Sequence, residues 1–174
     1  MKIDGRNVDV LFSQAEIASR ITALARQLDH EYRGKDLVVV GVLKGAFIFM
    51  SDLVRAMEVP LTCDFLRVAS YDHDKSTGIV RMEFDMTQPV EGKNVLLVED
   101  IVDSGRTLRH LLEHLKTKQP QSLKVATFLF KETGADSRKF VDYCAFECPD
   151  RYVIGYGLDS EGLYRSLPYV GAFQ

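Results

Sequence analysis

Three carboxylates and a hydroxyl-rich turn fall within nine residues: Glu99, Asp100 and Asp103, then Ser104, Gly105, Arg106 and Thr107. Behind them Leu108, Leu111, Leu112 and Leu115 keep helical spacing, so the turn opens a helix. Backbone N–H groups, two hydroxyls and the positive end of that helix make a cradle for phosphate. Gly105 lets the backbone come close to the anion or take a positive φ. Glu99 and Asp100 repel phosphate and suit sugar hydroxyls or a hydrated magnesium ion instead. The ligand that satisfies both halves is a ribose carrying a phosphate. An Asp that merely caps the helix in an ordinary turn is the competing reading. It accounts poorly for three acids and Ser-Gly-Arg-Thr together.

These residues need a frame to hold them. The apolar run 95–98 reads as a strand buried on both faces, ending at the acids. Upstream, Ser13 and Glu16 form a capping box ahead of Ile17, Ile21, Leu24 and Leu28, a helix that ends near Tyr32 with Gly34 as its stop. Residues 37–43 form a strand, turned by Lys44-Gly45-Ala46 into a helix whose apolar face holds Phe47, Ile48, Leu53 and Val54. Further strands are expected over 61–68, 79–86, 123–130, 141–146 and 152–156, and the polar stretch between Ser70 and Gly78 has hairpin chemistry. Strands alternating with helices predict an α/β fold with a mostly parallel twisted sheet flanked by helices. Ligands on such sheets bind at the carboxyl ends of the strands. Lys44-Gly45, residues 99–107 and Lys131 all sit at those ends.

The 174 residues, 46% hydrophobic and without linker, repeat or low-complexity stretch, are expected to form one domain. A net charge of −3 argues against a general nucleic-acid binder. Lys116, Lys118 and Lys124 are the nearest thing to a basic patch, and a solvated helix end explains them. The opening Met-Lys-Ile-Asp carries no apolar signal core and no run approaches membrane-spanning length, so a cytoplasmic protein with no membrane partner is expected. Cys63, Cys144 and Cys148 lack zinc-site spacing and read as reduced, buried or half-buried strand thiols. His30, His73, His110 and His114 form no metal-binding pattern, and the last two read as a polar helix face.

The stretch from Val95 to Leu108 resembles the phosphoribosyl-pyrophosphate motif of the type I phosphoribosyltransferases: an apolar run, two acids, two aliphatics, then Asp-Ser-Gly-x-Thr. It is most similar to the hypoxanthine-guanine branch, and the similarity runs over residues 38–171. The resemblance implies a type I phosphoribosyltransferase fold: a core over about residues 10–145, a small hood from the N-terminal residues and about 146–174, and a flexible hairpin flap over about 69–86. It implies that Glu99, Asp100, Ile101, Val102, Asp103, Ser104, Gly105, Arg106 and Thr107 hold the phosphoribosyl group. Leu43, Lys44 and Gly45, often with a non-proline cis peptide, and Arg165 would bind the pyrophosphate. A strand-to-helix turn with glycine placed for packing reads equally well from residues 43–45 alone. Ser70 and Tyr71 would start the flap that keeps water from an oxocarbenium-like ribosyl cation. Lys131 would donate to the exocyclic oxygen of an oxopurine, Tyr152 would stack on the base and Val153 would offer backbone groups to its edge. Glu99, Asp100 and Asp159 would serve magnesium. Asp103 would be the catalytic base for the purine's imidazole proton, or would steady the cationic transition state.

The resemblance thus implies purine salvage: magnesium-dependent transfer of phosphoribose from phosphoribosyl pyrophosphate to hypoxanthine or guanine, by a dimer or tetramer. A receiver-type signalling domain is set aside, because its acid pair follows the first strand and too little chain follows Asp100. An RNA-binding regulator on the same fold would need a basic face. A xanthine- or pyrimidine-preferring enzyme stays open as an alternative.

Overall fold

The computed structural model describes residues 2–3, 5–70, 80–131 and 137–174; Tyr71, His73 and Gly78, named above, and residues 71–79 of the expected flap lie outside them. Two strands open the chain, β1 (Lys2–Ile3) and β2 (Arg6–Phe12), turned by Gly5 at φ 75°. Ser13 then caps α1 (Gln14–Tyr32): the Glu16 amide donates to its hydroxyl oxygen at 3.3 Å, and the Ser13 amide donates to the Glu16 carboxylate at 2.8 Å. Gly34, at φ 73°, carries the chain out of that helix. Next come β3 (Leu37–Leu43), α2 (Phe47–Ala56), β4 (Leu61–Ser70) and β5 (Val80–Phe84). They are followed by β6 (Asn94–Val102), α3 (Arg106–Thr117), β7 (Ser122–Lys131) and β8 (Tyr143–Cys148), then by β9 (Val153–Ile154) and β10 (Val170–Phe173).

The main sheet runs β5-β4-β3-β6-β7-β8, parallel throughout except for β5, which returns antiparallel along β4. Its strands are buried on both faces. Leu37, Val39, Leu96 and Val98 pack toward α1 and α2, where Ile17, Leu24, Leu28, Phe49 and Leu53 meet them. Val38, Val40, Val95 and Leu97 point the other way, against Leu108, Leu111, Leu112 and Leu115 of α3. Each leucine buried this way contributes roughly 1.5–3 kcal/mol, and two such layers fix the order and height of the strand ends.

A second, antiparallel sheet, β1-β2-β10-β9, ties the start of the chain to its end, with Val8 opposite Phe173 and Ala172 opposite Val153. Arg151 secures it by reaching Asp9 and the Phe173 carbonyl, both at 3.0 Å. No described helix is long and apolar enough to cross a membrane.

Several local expectations change. The expected strand over 152–156 shrinks to Val153–Ile154, because Gly155, Tyr156 and Gly157 all take positive φ. Lys124 does not belong at a helix end: it lies in β7 and its ammonium reaches Glu31 of α1 at 3.0 Å. Lys118 and His114 both reach Asp85, at 2.7 and 3.0 Å, so that face of α3 carries an ion-pair cluster. Cys63 is exposed, whereas Cys144 is half-buried and Cys148 is buried on β8.

Candidate active site

The site grows from the end of β6. Its last residues leave the sheet at Asp103 and Ser104, and Gly105 swings the backbone to φ 71° to start α3. Any larger residue would be strained there, and its Cβ would stand 2.7 Å from Ser137 Cβ. Unlike α1, α3 has no N-cap side-chain hydrogen bond to its first N–H groups, because its N-cap is Gly105. A cavity of about 100 Å³ lies in front of them, lined by Glu99, Ile101, Val102, Asp103, Ser104, Gly105, Arg106, Thr107 and Leu108. That is room for one tetrahedral anion, not for a whole nucleotide.

Beside the cradle stand the two acids. Glu99 is buried, and burial, then the neighbouring Asp100 charge, raises its carboxyl well above the usual range. Asp100 is half-buried. Loss of solvation pushes it up to about 6, against the Ile101 N–H, which donates to its carboxylate at 2.9 Å, and the positive charge of Arg165. The Asp159 charge acts on it in the opposite direction. A buried and a half-buried carboxylate side by side, both holding their protons more tightly than usual, form a site suited to a cation or to hydroxyl donors.

Three distant pieces of chain meet at these acids. The Leu43–Lys44 peptide is cis, and Gly45 lies directly against the Asp100 carboxylate, so that an added Cβ would overlap it. Gly157, at φ 100°, lies against the Gly45 carbonyl, where an added Cβ would also overlap. Tyr156 fastens this junction: its ring packs on Phe128 with centroids 4.7 Å apart, and its hydroxyl donates to Asp52 of α2 at 2.7 Å. Reading the sequence misses Gly157, whose signal is two glycines around a single aromatic residue inside an apolar run.

Asp159 and Arg165 complete this side. The guanidinium donates to the Asp159 carboxylate and to the Gly157 carbonyl, both at 2.6 Å. Lys131 ends β7 with its side chain only 12% exposed and its ammonium 3.5 Å from Asp150, two residues before Tyr152. The Tyr152 ring is exposed and stacks on Phe173 at 6.4 Å between centroids, while its hydroxyl donates to the Asp159 carbonyl at 3.2 Å. Val153 is buried in β9. Lys44 is exposed at the end of β3, and Ser70 ends β4.

A family model described as the phosphoribosyl transferase domain matches residues 7–161. The chain belongs to the phosphoribosyltransferase family. Among its relatives, the hypoxanthine-guanine phosphoribosyltransferase of Dictyostelium discoideum is 45% identical over 168 residues, covering 94% of this chain and 93% of that one. The hypoxanthine phosphoribosyltransferase of Escherichia coli is 41% identical over 167 residues, with 94% of each chain covered. Among solved structures, a Staphylococcus aureus hypoxanthine phosphoribosyltransferase superposes with a TM-score of 0.88 at 38% identity, covering 95% of this chain and 91% of the other. The fold is therefore the type I phosphoribosyltransferase fold.

For this phosphoribosyltransferase the acid pair carries a cost in stability with a definite pH dependence. Glu99 and Asp100 hold their protons to higher pH when folded than when unfolded. Below about pH 3 both states are largely protonated and nothing is lost. As pH rises from there through the folded values, the unfolded chain ionises first, so stability falls. Glu99→Gln, which has no proton to lose, should match the wild-type unfolding temperature near pH 3 and exceed it near pH 8. Thermal unfolding across that range checks this, and a wild-type advantage that grows with pH would overturn it.

Proposed function

We propose that this phosphoribosyltransferase joins an oxopurine, hypoxanthine or guanine, to the ribose of phosphoribosyl pyrophosphate, giving the nucleoside monophosphate and pyrophosphate. The observation that carries the reading is the uncapped start of α3 and its small cavity next to the buried acid pair. That juxtaposition suits a ligand with phosphate at one end and a polyol at the other. The names of the relatives supply the base.

In this reading Ser104, Gly105, Arg106 and Thr107 hold the 5′-phosphate, and Glu99 and Asp100 take the ribose hydroxyls. Leu43, Lys44, Gly45 and Arg165 receive the pyrophosphate. A ring nitrogen of the base attacks the anomeric carbon as the bond to pyrophosphate breaks, and Asp103 accepts the proton the imidazole ring gives up. Its negative charge also faces the cationic ribosyl centre. Tyr152 stacks on the base and the backbone of Val153 meets its edge.

Among the described residues no three acids, histidines or cysteines converge into a ready-made metal cage. A magnesium ion here would keep most of its waters and bind through one or two carboxylates together with substrate phosphates. Such an ion would meet one or two of these carboxylates at a time: Asp100, whose raised carboxyl pKa a cation would relieve, with Glu99, or Asp159. Bound there, the ion supplies charge neutralisation for the leaving pyrophosphate.

Lys131 is the selector for oxygen over an amino group, since its ammonium can only donate. Lys131→Met should cut kcat/KM for hypoxanthine by about 10- to 150-fold, the loss of one hydrogen bond to a charged group. Steady-state kinetics with each base measures this, and an unchanged ratio of hypoxanthine to adenine use would remove Lys131 from the role.

The reading as a whole is tested by mixing the enzyme with magnesium, phosphoribosyl pyrophosphate and, separately, hypoxanthine, guanine, xanthine and adenine, and following nucleotide by chromatography. Nucleotide from hypoxanthine or guanine but not adenine is expected. Failure with all four bases would sink it.

A further inference from the structure

The carboxylate assigned above to the metal and the cation assigned to the pyrophosphate are already spent on each other. Asp159 uses both oxygens: Oδ1 accepts from Arg165 at 2.6 Å and Oδ2 accepts from the Gly162 amide at 2.7 Å. Arg165 uses both terminal nitrogens, the second on the Gly157 carbonyl at 2.6 Å. The Gly157 amide donates back to the Arg165 carbonyl at 2.9 Å, so backbone and side chain clasp together. Ser160 and Leu163 form a bridge that closes the segment between the two, with Glu161, Gly162 and Tyr164 all at positive φ. With side chains 24% and 31% exposed, this is a partly buried pair set by the fold, unlike a loose surface contact.

Its surroundings give the pair a meaning. Asp100 feels both charges, so the guanidinium serves two carboxylates, Asp159 in direct contact and Asp100 at longer range. Such a cluster without an internal cation would draw divalent ions whether or not a diphosphate were present. Resting on the function proposed above, we propose that Arg165 is the resident counter-cation of this cluster. It occupies the place on Asp159 that a divalent metal takes later. An arriving diphosphate draws the guanidinium onto its own oxygens, and the freed carboxylate accepts the metal. Each ion then exchanges one opposite charge for another and is never left bare in a partly buried site. The exchange makes diphosphate and metal bind with positive coupling, each raising the affinity of the other. A permanent strut that only shapes residues 157–165 predicts none of this.

The test reads metal binding directly. Free manganese is followed by electron paramagnetic resonance, with no phosphoribosyl ligand present, for wild type, Arg165→Gln and Arg165→Gln with Asp159→Asn. Glutamine can still donate to the Gly157 carbonyl but carries no charge. The single variant should bind manganese at least about tenfold tighter than wild type, or about 1.4 kcal/mol. Adding Asp159→Asn should cancel the gain. Equal or weaker binding by the single variant, or a gain that survives loss of Asp159, overturns the proposal.

A wild-type measurement guards against a variant that misfolds. Crystals grown with manganese and inorganic pyrophosphate together should show Arg165 on the pyrophosphate and Asp159 on the ion. A pair still closed with both ligands bound overturns the proposal. An enzyme that makes nucleotide yet gives either overturning result keeps the functional reading and loses the exchange. One that makes nucleotide from none of the bases loses the functional reading first.

Discussion

Asp103→Asn should lower kcat by about 10²- to 10⁴-fold, the usual value of a positioned proton acceptor, while KM for phosphoribosyl pyrophosphate stays within a few-fold. Asparagine keeps the size of aspartate and its place in the cavity wall. It cannot take a proton, and it brings no negative charge to a cationic ribosyl centre, so both proposed contributions vanish together. Ground-state affinity should survive, because the 5′-phosphate is assigned to the hydroxyls and N–H groups of residues 104–107, which the substitution leaves in place. Steady-state kinetics with hypoxanthine checks the split, and thermal unfolding of the same variant separates lost chemistry from lost structure. Near-normal turnover would remove Asp103 from catalysis. A large rise in KM with kcat preserved would make it a binding residue instead.

What could be read ahead of the fold follows from how local each signal is. The cradle is one unbroken stretch, and the apolar run before it and the leucines behind it carry their own periods. The helix after Ser13 begins and ends where its cap and Gly34 place it, since both devices act within a turn of the residues that encode them. The second sheet has no such signal. β2 alternates poorly between buried and exposed positions, and its partner β10 lies more than 150 residues away, joining Val8 to Phe173. Only the completed fold brings those edges together.

The same division runs through the site. Asp100 and Gly45 stand out in their own neighbourhoods, but that Gly45 meets both Asp100 and Gly157 depends on the ends of β3 and β6 meeting the loop after β9. Asp159 and Arg165 stand out as polar residues in an apolar segment, but their partners are not legible from spacing, and they pair with each other. Lys124 shows the error in reverse. A lysine near a helix end looks solvated until the sheet sets it against Glu31 of another element.

The contact between Gly45 and Asp100 also sets the second large effect. Gly45→Ala should leave a folded protein and lower kcat/KM by about 10²-fold or more, the scale of a displacement of about 1 Å in a catalytic group. Gly45 is not at a positive φ, so alanine meets no backbone strain there. Its Cβ would overlap the Asp100 carboxylate and stand 3.1 Å from Asp100 Cβ. The end of a side chain can swing away at modest cost to the fold, but only by leaving the position beside Glu99 from which it would meet the ribose and the metal. Gly157→Ala would be a poorer probe, since at φ 100° its Cβ would overlap the Gly45 backbone carbonyl and disturb the whole junction. An unfolding temperature within a few degrees of wild type, together with collapsed turnover and weakened manganese binding, is the expected signature of Gly45→Ala. Normal activity in that variant would mean that the placement of Asp100 does not matter, and would take the acid pair out of the site. A variant that fails to fold would make Gly45 a packing glycine, the alternative its sequence setting left open.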